Sequence, residues 1–281
     1  MLSRFLLVAS LSACGTSQRT TPDPTATPLE VVSAVFDAVT EGDEASIRAL
    51  VREDYIQHSA LAEDGIEGFI GIVDLLRASE ITTHRVLTQD NLVALHQTYA
   101  LPDGQRLVAF DVFRVEGGQL AEHWDAPQPE VTETVSGRSM VDGPTQVDPL
   151  ANTAESQALV EGFVRVVLSE GNFDRLGEFI SEASYAQHNP AIDDGLVGLG
   201  AFAASLAEQG LGFGYTRSPL VVAEGDFVLV GSEGFSGPTD APPFAIFYDL
   251  FRVEGGRIVE HWDVLPPSPD PAALPHGNGF F

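Results

Sequence analysis

Behind Pro28, apolar side chains recur at helical spacing: Leu29, Val32, Val35, Phe36 and Val39, with Gly42 just past the last of them. The spacing predicts a helix that starts at the proline, whose missing N–H is no loss in a first turn, and ends at the glycine. A short second helix is expected over 43–51 with Asp43 as its N-cap, and a third over 65–79. From His84 the period becomes two. Residues 84–99 read as two strands around Gln89-Asp90-Asn91, and 106–115 and 119–124 as a hairpin about Glu116-Gly117-Gly118. The order then returns, with helices within 154–168 and 173–180, another near 196–208, and strands after it. Helices first and a meander of strands second is an α+β pattern.

The sequence itself repeats as well. FRVEGGQLAEHWD at 113–125 comes back as FRVEGGRIVEHWD at 251–263, changed only at Gln119/Arg257, Leu120/Ile258 and Ala121/Val259. Tyr55-Ile56-Gln57-His58 comes back as Tyr185-Ala186-Gln187-His188. A period this long is a duplicated domain rather than a solenoid. The expected domains span 29–129 and 154–266, joined by a polar linker over 130–153. Residues 267–281 form a tail whose prolines argue against regular structure, closed by an apolar Phe280-Phe281. Trp124 and Trp262 read as core or interface residues.

Composition narrows the function. Fourteen basic residues face 41 acidic ones, a formal charge of −27, and every basic residue is an arginine. Such a surface repels phosphate backbones and anionic lipid, so no nucleic-acid partner is expected. Without lysine there is no Schiff-base chemistry. The lone cysteine, Cys14, excludes an internal disulfide and a cysteine zinc site. It ends an apolar run after Arg4, which reads as a signal peptide over 1–13. LSAC at 11–14 resembles a bacterial lipobox. That resemblance implies cleavage before Cys14, a lipid on its sulfur, and a secreted protein anchored to the cell envelope by that lipid alone. The Thr- and Pro-rich stretch 14–28 is then a linker.

Asp111 sits inside the apolar run LVAFDVF, and Asp249 inside AIFYDLF. A carboxylate is rarely buried alone. It is either a structural aspartate paired with a nearby arginine or a general base in a pocket. A three-residue hairpin loop would set Val115 opposite Gln119 and Asp111 opposite His123, with Asp111, Phe113, His123 and Asp125 on one face, whereas a two-residue loop would set Asp111 opposite Trp124; the first is preferred because it gathers the polar residues. His96 ends the strand before Asp111, so the two are expected to meet at one end of the sheet. The second copy has Gly231 in place of His96, which would make it a degenerate site.

Taken together, YIQHSA, YAQHNP, a glycine-led third helix, a strand ending in histidine and DVFRVEGGQLAEHWD resemble the SnoaL-like proteins of the nuclear-transport-factor-2-like superfamily. The resemblance implies two tandem cone-shaped α+β barrels, each a curved antiparallel sheet around about three helices, with a pocket in the cone. It further implies cofactor-free aldol-type acid–base chemistry with no metal. Asp111 would act as base, with His96 or His123 polarising the carbonyl. Tyr55, His58, Phe113 and Asp125 would line the pocket, as would Tyr185, His188, Asp249, His261 and Asp263 in the second copy. The competing reading is a binding lipoprotein that holds a small apolar ligand or a partner protein. His58, His96, His123, Asp111 and Asp125 have metal-ligand chemistry but no short ligand spacing. Members of the superfamily usually pair through the open face of the sheet, so the two halves are expected to form an intramolecular pseudo-dimer.

Overall fold

The computed structural model describes residues 21–241, 243–267 and 270–281. The expected signal peptide, Cys14 and the first part of the tether lie outside them. Helix α1 (Pro28–Glu41) begins with a capping box, in which the Thr27 side chain accepts from the Glu30 N–H and the Glu30 carboxylate from the Thr27 N–H. It ends at Gly42 in the left-handed conformation. Helix α2 (Glu44–Leu50) is capped by Asp43, and α3 (Gly65–Ala78) follows. The strands are β1 (Val51–Gln57), β2 (Glu80–Gln89), β3 (Leu92–Ala100), β4 (Arg106–Glu116) and β5 (Gln119–Pro129). They form one curved sheet in the order β1-β5-β4-β3-β2.

The second half repeats this plan. Helix α4 (Thr153–Phe163) runs into a π-helical turn at Val164–Ser169, a 3-10 turn covers Phe173–Glu178, and α5 (Gly195–Glu208) follows. Strands β6 (Ala186–Gln187), β7 (Leu211–Glu224), β8 (Phe227–Pro238), β9 (Phe244–Glu254) and β10 (Arg257–Val264) form a second sheet in the order β6-β10-β9-β8-β7. The chain is therefore two tandem α+β domains, each with its own five-stranded mixed sheet. The tail carries a short 3-10 turn at Pro271–Ala273 where no regular structure was expected.

Two details of the fold differ from the sequence reading. The expected second helix reached Val51 and no element was expected over 52–57, whereas β1 begins at Val51 and runs to Gln57. It lies parallel to β5, with Gln57 opposite His123, a long-range pairing that no local pattern announces. The hairpin register also differs. Gly117 and Gly118 both have positive φ (60° and 82°), so the loop is a two-residue turn with Glu116 opposite Gln119. A bulge after Val115 then absorbs one residue of β5, so that Phe113 faces His123 and Asp111 faces Asp125. The predicted shared face of Asp111, Phe113, His123 and Asp125 persists, because the turn and the bulge together restore the parity.

Strand alternation divides each sheet. On β4, Asp111 and Phe113 point into the domain, whereas Val108, Phe110 and Val112 join a cluster that also holds Leu229, Ile246, Tyr248, Leu250 and Trp262 of the other domain. The outer faces of the two sheets thus share one core, with Trp124 and Trp262 inside it. Phe280 is buried in the same cluster, and Phe281 stacks on Tyr248 with ring centroids 5.5 Å apart. Replacing Phe280 by alanine is expected to cost about 3–5 kcal/mol in urea unfolding, with Leu150→Ala, at 92% exposed, as a near-neutral control.

Candidate functional site

Gln57 organises the first domain's interior. Its side-chain carbonyl accepts the backbone N–H groups of His58 and Ser59, both at 3.0 Å. These two bonds fix which end of the amide is oxygen. His123 Nδ1, also 3.0 Å from that oxygen, must therefore carry a hydrogen and donate it. The other ring nitrogen, Nε2, lies 3.3 Å from Asp111 Oδ1. Two bare lone pairs would repel there, so a proton sits between them, on the imidazolium or on the carboxylic acid. Phe113 stacks on the His123 ring at 4.5 Å and holds its plane.

Two more groups complete the cluster. The Tyr99 hydroxyl lies 2.9 Å from Asp111 Oδ2 and 2.8 Å from Gln97 Oε1. Burial, and then the Asp111 carboxylate, raise the Tyr99 phenol well above its usual range, so it stays protonated. Asp125 accepts from Ser59 Oγ at 3.0 Å. Burial pushes Asp125 up to about 6, with His123 opposing and Asp111 adding to the rise.

These groups form one wall of a cavity of about 140 Å³, and the remaining walls are almost wholly apolar. Val35 and Val39 of α1, Phe69, Leu75 and Leu76 of α3, and Ala109 of β4 are among the residues that supply them. Tyr55 and Gln57 also line the cavity, and their Oη and Nε2 atoms are buried with no hydrogen-bond partner. A buried donor left unpaired costs about 1–3 kcal/mol, so such groups generally meet a water or a ligand. Burial raises the Tyr55 phenol well above its usual range, which keeps it a donor.

The second domain builds the same cluster with bulkier residues in front of it. His261 Nδ1 meets Gln187 Oε1 at 3.0 Å, and Nε2 meets Asp249 Oδ1 at 3.0 Å. Tyr215 donates to Asp249 Oδ2 at 2.8 Å. It comes from β7, whereas Tyr99 comes from β3; Gly234, opposite Tyr215 in the ladder, stands where β3 carries Tyr99. Phe247 replaces Ala109 on the inward face, and the Tyr215 ring stacks on it at 4.3 Å. Gln187 Nε2 donates to Tyr185 Oη at 3.3 Å, so the amide nitrogen that lacks a partner in the first domain has one here.

Three expected site residues lie elsewhere. His96 pairs with Phe110 in the ladder while Leu95 pairs with Asp111, so its side chain takes the opposite face. It stacks on Phe110 at 4.3 Å and meets Arg85 at 3.0 Å, in the core between the domains. Gly231 is accordingly no mark of a degenerate pocket; a Cβ there would lie 2.6 Å from the Phe281 ring. His58 stacks on Trp124 and meets Glu122 Oε1 at 2.9 Å, outside the cavity. His188 likewise stacks on Trp262 and meets Glu260 Oε1 at 3.0 Å. Sequence reasoning missed Tyr99, Gln57 and Ser59; only the repeated Gln-His pair hinted at the second of these.

Ligand atoms of Asp111, His123 and Asp125 lie within 4.8 Å of one another, as do those of Asp249, His261 and Asp263. Asp–His–Asp donors suit a divalent cation in principle. In both domains, however, the histidine Nε2 and both oxygens of its partner aspartate already hold hydrogen bonds, which a metal would have to displace.

Burial pushes Asp263 up to about 6, from an ordinary value of 3.8. A carboxyl raised in the folded state stabilises the fold below its unfolded value, and this contribution is lost as pH rises toward the folded one. The Asp263→Asn protein should therefore gain in thermal midpoint over wild type at pH 7.5, and the gain should vanish near pH 4. An equal difference at both values would contradict this assignment.

The profile of the SnoaL-like domain family matches residues 32–123 and again 160–261. Among solved structures, the chain is similar to a SnoaL-like polyketide cyclase from Agrobacterium tumefaciens (18% identity, 42% of this chain and 94% of that one, TM-score 0.31). It is similar to an LEH-like epoxide hydrolase from M. tuberculosis (21% identity, 43% and 87%, TM-score 0.33). It also resembles an NTF2-like protein from Mesorhizobium loti (19% identity, 43% and 99%, TM-score 0.34). A comparison with curated protein sequences found no match. With the profile met twice over more than half its length, the chain belongs to the SnoaL-like domain family and carries that domain in tandem.

Proposed function

We propose that the first domain is a cofactor-independent acid–base enzyme acting on a small, neutral, enolisable carbonyl compound, by aldol condensation or isomerisation. One observation carries the reading. Tyr55 and Gln57 line the same cavity as the pair Asp111–His123, and their Oη and Nε2 are buried donors without partners among the described residues. A substrate carbonyl oxygen accepting from the two donors would present its α-carbon to the carboxylate. Asp111 would take the α-proton as the enolate forms, and the charge on oxygen would be held by Tyr55 and Gln57. Asp111 would then return the proton to a second carbon in an isomerisation, or to the new alkoxide in an aldol step. His123, with its Nε2–H on Asp111 Oδ1, would hold that carboxylate ionised until the substrate proton arrives on its other oxygen, and Asp125, raised toward neutral pH, is the alternative base on the same wall. The cavity is lined by no arginine, which disfavours an anionic substrate.

The second domain, with its Gln187 amide paired to Tyr185 and Phe247 in place of Ala109, would serve as scaffold. From the sequence alone we read Cys14 as the site of a lipid anchor to the cell envelope.

The test is α-proton exchange of neutral ketones such as cyclohexanone, acetophenone and 2-tetralone in D2O, followed by proton NMR. The full chain should accelerate exchange over buffer. Asp111→Asn should reduce that acceleration at least ~100-fold, whereas Asp249→Asn should leave it within about twofold. Absence of acceleration for every ketone, or its survival in Asp111→Asn, contradicts the reading. Ketone binding without exchange would favour a non-catalytic binding protein.

A further inference from the structure

Each domain is followed by a segment that crosses to the other domain and closes on its Gln-His turn. After β5, the Ser136 hydroxyl donates to Gln187 O at 2.8 Å, Arg138 pairs with Asp194 at 2.9 Å, and Ser139 O meets His188 Nδ1 at 2.7 Å. After β10, Asn278 Nδ2 donates to Gln57 O at 3.0 Å and to Asp64 Oδ1 at 2.9 Å, and Gly279 O meets His58 Nδ1 at 3.0 Å. Asp64 and Asp194 play the same part, each taking the backbone N–H of its own glutamine at 2.9 Å. The two crossings match position for position: Arg138 with Asn278, Ser139 with Gly279, Met140 with Phe280. The tail adds one bond of its own, from His276 Nε2 to Ser59 O at 2.9 Å.

The tail therefore grips the main chain of Gln57 and Ser59, the two residues whose side chains hold His123 and Asp125. We propose that Asn278 and His276 are positioning residues for the cavity of the first domain, so that this site is complete only when the tail of the second domain is docked on it. The linker does the same for the cluster of the second domain. In its effect on turnover the inference rests on the enzymatic reading; in its effect on geometry it does not.

The two crossings provide each other's control. The readout is hydrogen exchange of the imidazole Nδ1–H protons of His123 and His261 by NMR on the full chain, each proton being held by a glutamine carbonyl. Asn278→Ala combined with His276→Ala should speed exchange at His123 at least tenfold and leave His261 unchanged. Ser136→Ala combined with Arg138→Ala should do the reverse. Asn278→Asp keeps the shape, loses the donor and sets a charge against Asp64, so it should act like alanine. Unchanged exchange at His123 in the tail variants overturns the proposal, as does equal acceleration at both histidines, which would mean general loosening. Selective loosening of His123 with no ketone exchange by the wild-type chain would sustain the crossing and remove the enzymatic reading. Ketone exchange in wild type with His123 unresponsive to the tail variants would do the opposite.

Discussion

One side-chain carbonyl sets the geometry on which the rest depends. Gln57 Oε1 gathers the N–H groups of His58 and Ser59 and the Nδ1–H of His123. Because the oxygen is committed, the amide nitrogen is left without a protein partner beside a cavity. Because Nδ1 is committed, Nε2 is the nitrogen left to face Asp111. The parallel pairing of β1 with β5 is what makes this possible, since it sets Ile56 opposite Glu122 and Gln57 opposite His123. A parallel contact between segments far apart in sequence needs a long crossover, and α3 with strands β2 to β4 supply it.

The duplication works as an internal comparison. Both domains keep the glutamine, the histidine and two aspartates, and both hold a tyrosine on the first aspartate. They differ in what lies in front of that cluster. Alanine at 109 leaves room in the first domain; phenylalanine at 247, with Tyr215 stacked on it, fills the matching place in the second. Moving the tyrosine from β3 to the neighbouring strand, over Gly234, keeps its hydroxyl on the aspartate while its ring adds to the packing. The second domain retains the polar cluster with Asp249 held by His261 and Tyr215, while Asp263 Oδ1 is buried with no partner among the described residues.

Much of the fold was legible because its signals are local. The start at Pro28, the stop at Gly42, the Asp43 cap and the period-two runs follow from short-range chemistry. The inward face of β4 and β5 was also legible, since alternation alone puts Asp111 and Phe113 together. Of the two histidines expected beside Asp111, His123 meets it and His96 does not. His96 is one residue from Leu95, the actual neighbour of Asp111 in the ladder, and that single step sends its side chain into the core between the domains. Tyr99 reaches Asp111 by the length of its side chain rather than by register, and β1 contributes Gln57 through a pairing that sequence does not encode locally. The histidines at 58 and 188 carry no period of their own. Their place against Trp124 and Trp262 follows from the packing of one sheet on the other.

The most direct test of the central claim is a crystal structure of the full chain grown with acetophenone. The account predicts the ketone in the first domain only, its oxygen within hydrogen-bond distance of both Tyr55 Oη and Gln57 Nε2 and its methyl carbon toward Asp111. A ketone lodged equally in the second domain, or one in the first domain whose oxygen meets neither donor, would contradict it.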